Sequence, residues 1–111
     1  MKFPTVKNLN HFQDIIKNKT AVMFYFSNEA CNVCKVLKPK VFELLQQDFP
    51  EIDFYYIDIE KLPDIAAQNS VFSIPTILVF FDGAEFIRKS RYIGIEELKQ
   101  ELNRPYEIMF T

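Results

Sequence analysis

The chain has two cysteines, and they stand in a C-x-x-C pattern, Cys31-Asn32-Val33-Cys34, followed directly by Lys35. An apolar run, Ala21 to Phe26, precedes the pair, and a helical pattern, Val33 through Phe49, follows it. Such a strand-to-helix junction predicts redox chemistry. The free N–H groups and positive dipole end of a helix favour a thiolate over a thiol, and the thiolate is the nucleophile. The spacing lets the second sulfur reach the first across one turn. Cys31 is thus expected to attack a disulfide sulfur and form a mixed disulfide. Cys34, one turn in and less accessible, then attacks Cys31 and releases the reduced product. Glu29 works mildly against a Cys31 thiolate and Lys35 offsets it, with solvent screening both.

Metal binding is the competing chemistry. A closed zinc site needs four ligands, and Cys31, Cys34 and His11 supply at most three, from distant segments. His11 lies off the apolar stripe of its helix and reads as a surface residue. An intersubunit metal or iron–sulfur cluster, with two cysteines per chain, stays open. Lys35 after Cys34 does not fit c-type haem attachment. No cofactor is expected.

The pair must be positioned by a small fold. A chain of 111 residues, 49% hydrophobic, suggests one domain, 1–111. It is long enough to bury a core without a disulfide or metal staple. Twelve Phe and five Tyr stand in for the missing Trp as bulky core residues. With net charge −2 and no basic cluster interleaved with aromatics, nucleic acid is not an expected partner. Asn8, Asn10, His11, Gln13 and Asp14 interrupt any leader-like apolar stretch, and no apolar run approaches membrane-spanning length. The expectation is a cytosolic protein with no membrane partner. In that compartment a cysteine pair is more often catalytic, redox-sensing or metal-binding than structural.

The elements follow in order. Met1 to Val6, with Pro4 inside it, reads as a short edge strand. Asn8 is a suitable cap for a helix to about Asn18, with Leu9, Phe12, Ile15 and Ile16 on one stripe. The unbroken apolar run Ala21–Phe26 predicts a strand covered on both faces. The helix after Cys31 should kink at Pro39 and stop at Pro50. A strand, Ile52–Ile59, precedes a short helix, Lys61–Asn69, with Pro63 in its first turn. Thr76–Phe81 is another apolar strand. The Asp82-Gly83 turn predicts an antiparallel return over Glu85–Tyr92, whose Arg88, Lys89 and Arg91 suit an edge. Ile95–Asn103 reads as the last helix, with Ile95, Leu98 and Leu102 inward. Pro105–Thr111 reads as a tail apolar enough to pack against the body. Alternating elements predict an α/β fold whose sheet is parallel, with right-handed crossovers, up to the edge hairpin. Function should gather at the carboxyl ends of the strands, where Cys31 lies.

With these features in place the chain resembles the thioredoxin family over nearly its whole length. The resemblance rests on the strand Val22–Phe26, on C-x-x-C-K with Pro39 five residues beyond Cys34, on Ile74-Pro75-Thr76 before an apolar strand, and on Asp82-Gly83. It implies the thioredoxin fold: a central mixed sheet with an antiparallel edge hairpin and helices on both faces. It implies a cis Ile74–Pro75 bond facing the cysteines, with backbone groups nearby that pair with an extended substrate. The departures are specific. Family members carry W-C-G-P-C, where this chain has Ala30 for the Trp and Asn32-Val33 for Gly-Pro. The family's buried Asp falls on Tyr25, its Lys partner on Tyr56, and the Gly of the neighbouring loop on Arg91. Tyr25 and Tyr56 sit in apolar strands and read first as core aromatics. Through their positions they are also expected to modulate the cysteines, together with Lys35.

The resemblance implies a thiol–disulfide oxidoreductase that reduces or exchanges protein or small-molecule disulfides. Its catalytic residues are Cys31 and Cys34, and Ala30, Val33, Ile74 and Pro75 contact substrate. Tyr92 and Ile93 could extend that apolar rim. A thiol donor or a flavin-dependent reductase would recycle the protein, which is expected to be a monomer. The alternative is a thioredoxin-like binding module that uses the edge near Pro75 without turnover.

Overall fold

The computed structural model describes residues 3–110. Its elements run α1 (Leu9–Asn18), β1 (Ala21–Ser27), α2 (Asn32–Asp48), β2 (Asp53–Asp58), α3 (Pro63–Gln68), β3 (Thr76–Phe81), β4 (Ala84–Ser90) and α4 (Ile95–Phe110). The four strands form one sheet in the order β2-β1-β3-β4.

β1 is central, and all seven of its residues are buried. Successive side chains alternate between faces, so the strand feeds two cores. Ala21, Met23 and Tyr25 pack with Ile77, Val79 and Phe81 against α2 and α4. Val22, Phe24 and Phe26 pack with Leu78 and Phe80 against α1 and α3. The continuous apolar run is the consequence of this double coverage. The Asn8 side chain accepts the His11 N–H at 2.8 Å and starts α1. Asp82 and Gly83 both have positive φ, 53° and 84°, as a two-residue hairpin turn of the primed type requires.

Three expectations are corrected. First, among the described strands only β1–β2 is a parallel pair; β3 runs antiparallel to β1, with Phe26 opposite Thr76. The connection from β2 to β3 therefore returns at the same end of the sheet. The six residues of α3 make this necessary, since a helix of about 9 Å cannot run back along a strand of about 20 Å. Secondly, the predicted first strand is reduced to a single bridge. Within it, Tyr56 N–H donates to the Pro4 carbonyl and Val6 N–H to the Tyr56 carbonyl, while Met1 and Lys2 lie outside the described residues. Thirdly, the predicted tail is a continuation of α4 through Pro105 to Phe110; Thr111 lies outside the description. Proline inside a helix costs about 3 kcal/mol. Here the stripe of Leu98 and Leu102 continues through Tyr106, Met109 and Phe110, which pack on the core. Tyr106 meets Phe49 edge-on at 5.1 Å, and its hydroxyl accepts the Glu51 N–H at 3.1 Å. That burial offsets the lost helical bond.

Lys89 of β4 pairs with Glu97 and Glu101 of α4, fixing the helix beside the edge strand. Among the described residues no helix is long and apolar enough to cross a membrane.

Candidate active site

The site forms where β1 ends and α2 begins. Cys31 is the N-cap of α2, with extended backbone (φ −82°, ψ 102°), and its sulfur accepts the Cys34 N–H at 3.2 Å. A serine or aspartate oxygen ordinarily occupies this place, because the first helical N–H groups have no partner within the helix. A sulfur there gains negative charge with both a hydrogen bond and the helix dipole favouring it. The cysteines are joined as a disulfide, with Cα atoms 5.3 Å apart. Cys31 is half-buried, whereas Cys34 is only 1% exposed.

Two tyrosines lie behind the pair. Tyr25 is fully buried and its hydroxyl donates to the Cys34 carbonyl at 2.9 Å. Burial, and secondarily the Tyr56 phenol, push the Tyr25 phenol well above its ordinary range. Tyr25 therefore keeps its proton and serves as a hydrogen-bond donor. Tyr56 is its register partner on β2 and is half-buried. Burial raises its pKa most, the Ser27 hydrogen bond opposes this, and Asp58, Glu29 and Glu60 add to the rise. Lys35 is exposed, and its backbone N–H closes on the Cys31 carbonyl at 3.1 Å.

The Phe26–Thr76 pairing brings the start of β3 beside the end of β1 that leads to Cys31. The Ile74–Pro75 peptide there is cis. Pro75 is buried, its carbonyl accepts the Arg91 N–H at 2.7 Å, and Ile74 is half-buried. Arg91 has φ 65°, a left-handed conformation that glycine adopts without steric cost. This matches its place at a family glycine.

Ala30 is exposed and Val33 is 65% exposed. Val33 opens onto a groove of about 660 Å³ that runs from α2 to the loop after β4. Tyr92 and Ile93 line it, with Tyr92 95% exposed, whereas Ala30 and Ile74 are not among its lining residues. Val36, Leu37 and Lys40 line it too, and Phe72, 84% exposed, stands just before Ile74. The sequence reading did not single out Val36, Lys40 or Phe72. On α2, Val33, Val36, Leu37 and Lys40 form a stripe apart from the buried positions Val41, Leu44 and Leu45. His11 is elsewhere: its Nδ1 accepts the Lys7 N–H at 3.0 Å and its ring meets Tyr55. Among the described residues no three His, Cys, Asp or Glu side chains gather as a metal site.

The asymmetry of the pair gives an expected result. Limited iodoacetamide on the reduced protein should label Cys31 well before Cys34, read by peptide mass mapping. Equal labelling, or Cys34 first, would contradict the assignment of Cys31 as the nucleophile.

The comparisons agree with this geometry. The family profile described as Thioredoxin matches residues 3–104. The chain is 34% identical over 101 residues to the thioredoxin-like protein YdfQ of Bacillus subtilis, covering 91% of this chain and 89% of that one. It is 33% identical over 79 residues to thioredoxin-1 of Saccharomyces cerevisiae, covering 71% and 76%. The solved structure of thioredoxin 1 from Thermosipho africanus superposes with a TM-score of 0.73 at 31% identity, covering 81% of this chain and 99% of that one.

Proposed function

Because the chain belongs to the thioredoxin family and is a thiol–disulfide oxidoreductase, we propose that Cys31 is its nucleophile and Cys34 its resolving thiol. The observation that carries this is the placement of the Cys31 sulfur on a free first-turn N–H of α2, that of Cys34, and its bond to that buried partner one turn inward. The Cys31 thiolate attacks a substrate disulfide and expels one substrate sulfur as a thiol. Cys34 then attacks Cys31, frees the second substrate sulfur and leaves the Cys31–Cys34 disulfide. Two electrons and two protons pass from the dithiol to the substrate.

The substrate segment lies along Ala30, Val33 and the Ile74–Pro75 edge. The exposed Tyr92 and the apolar groove beside Val33 support an apolar flank on the substrate. Tyr25, Tyr56 and Lys35 modulate the pair. A thiol donor or flavin-dependent reductase returns the disulfide to dithiol. We read residues 1–111 as one domain, working as a monomer in the cytosol. A binding module without turnover is not favoured, since the family acts on disulfides and both exchange cysteines are in place.

Insulin reduction with dithiothreitol tests the function. The protein should accelerate the precipitation of insulin chains well above dithiothreitol alone, and Cys31→Ser should return the rate to that background. A wild-type rate no faster than background would favour the binding module.

A further inference from the structure

Lys38 sits on α2 four residues after Cys34 and seven after Cys31. The three therefore share one face of the helix. Helical side chains lean toward the helix N-terminus, so the long Lys38 chain covers the turn that carries Cys34. Its ammonium nitrogen is 4.3 Å from the centroid of the Tyr56 ring and 4.7 Å from that of Phe3. Tyr56 is the register partner of Tyr25, whose hydroxyl holds the Cys34 carbonyl. The cation is thus held on the ring beside Tyr25, from the helix face that carries Cys34. Ring faces attract a cation but carry no net charge to cancel it. Among the described residues no carboxylate forms an ion pair with Lys38.

We propose that Lys38 is a positioning residue of the resolving step, its ring-seated ammonium favouring the thiolate of Cys34 over the thiol. This rests on the assignment of Cys34 as the resolving thiol. Burial lowers the Lys38 pKa, Glu29 opposes that and Lys35 adds to it. A cation stripped of part of its water gains from an anion forming nearby. The other ionisable groups around this seat are Tyr25 on β1, Tyr56 and Asp58 on β2, and Glu60 just beyond. In the step itself the Cys34 thiol gives its proton to water. Its thiolate then attacks the Cys31 sulfur, the bond from Cys31 to the substrate sulfur breaks, and that sulfur leaves as a thiolate and is protonated. Lys38 stays charged throughout.

The test follows Cys34 acidity directly, by the pH dependence of its ¹³Cβ shift in a Cys31→Ser protein. Lys38→Met in that background should move the midpoint up by about half to one pH unit, and Lys38→Arg should leave it in place. In the protein with both cysteines, Lys38→Met should slow release from the mixed disulfide about threefold to tenfold at pH 7. Lys38→Gln serves if the methionine variant does not fold. An unchanged Cys34 midpoint in a folded Lys38→Met or Lys38→Gln protein would overturn the proposal. So would an equal rise in Lys38→Arg, which keeps the charge. The resolving role of Cys34 is checked separately by whether a protein lacking Cys34 still releases product. The two failures are therefore distinct.

Discussion

A Cys34→Ser protein is expected to stop after one chemical step and remain covalently tied to its substrate through Cys31. Steady-state turnover should fall on the order of 10³-fold or more. The cause is proximity. The Cys34 thiol is held one helical turn from Cys31, with Cα atoms 5.3 Å apart in the bonded pair. A well-oriented intramolecular group acts as though present at about 10⁵ M or more, while an external thiol offers millimolar concentration. Serine fills almost the same volume at this buried position, so the loss belongs to chemistry rather than packing. Non-reducing electrophoresis with a disulfide substrate should show a near-stoichiometric adduct. Catalytic turnover by Cys34→Ser without an adduct would show that release does not pass through Cys34.

The second large effect is on pH. In the wild-type protein the same adduct should be visible at neutral pH, and its decay should speed up by close to tenfold for each pH unit below the Cys34 midpoint. Only the thiolate attacks, and an ordinary thiol with pKa near 8.5 is ~3% ionised at pH 7. Burial of Cys34 works against ionisation, and Lys38 works for it. Where the family has a buried aspartate this chain has Tyr25, a phenol that burial pushes above its ordinary range. It donates to the Cys34 carbonyl and is no proton acceptor at neutral pH. The buried carboxylate nearest in register is Asp58, on the Tyr56 face of β2, and its Oδ1 accepts the Glu60 N–H at 2.9 Å. Stopped reactions from pH 6 to 9 check the profile. A flat profile in the wild type that steepens in Asp58→Asn would make Asp58 the acceptor and overturn this account of the step.

What the sequence made legible was local. The Cys31–Cys34 pair, the Asp82-Gly83 turn and the Ala21–Phe26 run each carry their physics within a few residues. A cap and two positive φ angles are set by near neighbours, and double-sided burial leaves its mark as an unbroken apolar run. The direction of β3 was not legible from alternation of elements, although the shortness of α3 contained the answer. Ending the last helix at Asn103 and reading Pro105–Thr111 as a tail missed the stripe from Leu98 to Phe110, because a proline is a local signal and the packing that overrules it is not. The site divides in the same way. Cys31 and Cys34 declare themselves by spacing. Lys38 does not, because Phe3 and Tyr56 reach it from segments distant in the chain. The groove likewise joins Val33 and Val36 to Tyr92 across more than fifty residues of sequence.

The central claim is that exchange begins at Cys31 and is completed by Cys34. One measurement addresses it most directly: rapid acid quenching of a single turnover of the reduced wild-type protein at pH 7, with peptide mass mapping of the trapped species. The expected result is substrate attached to the Cys31 sulfur early in the reaction, none attached to Cys34, and later only the Cys31–Cys34 disulfide. Substrate on Cys34, or fast turnover in which neither cysteine is ever modified, would contradict the account.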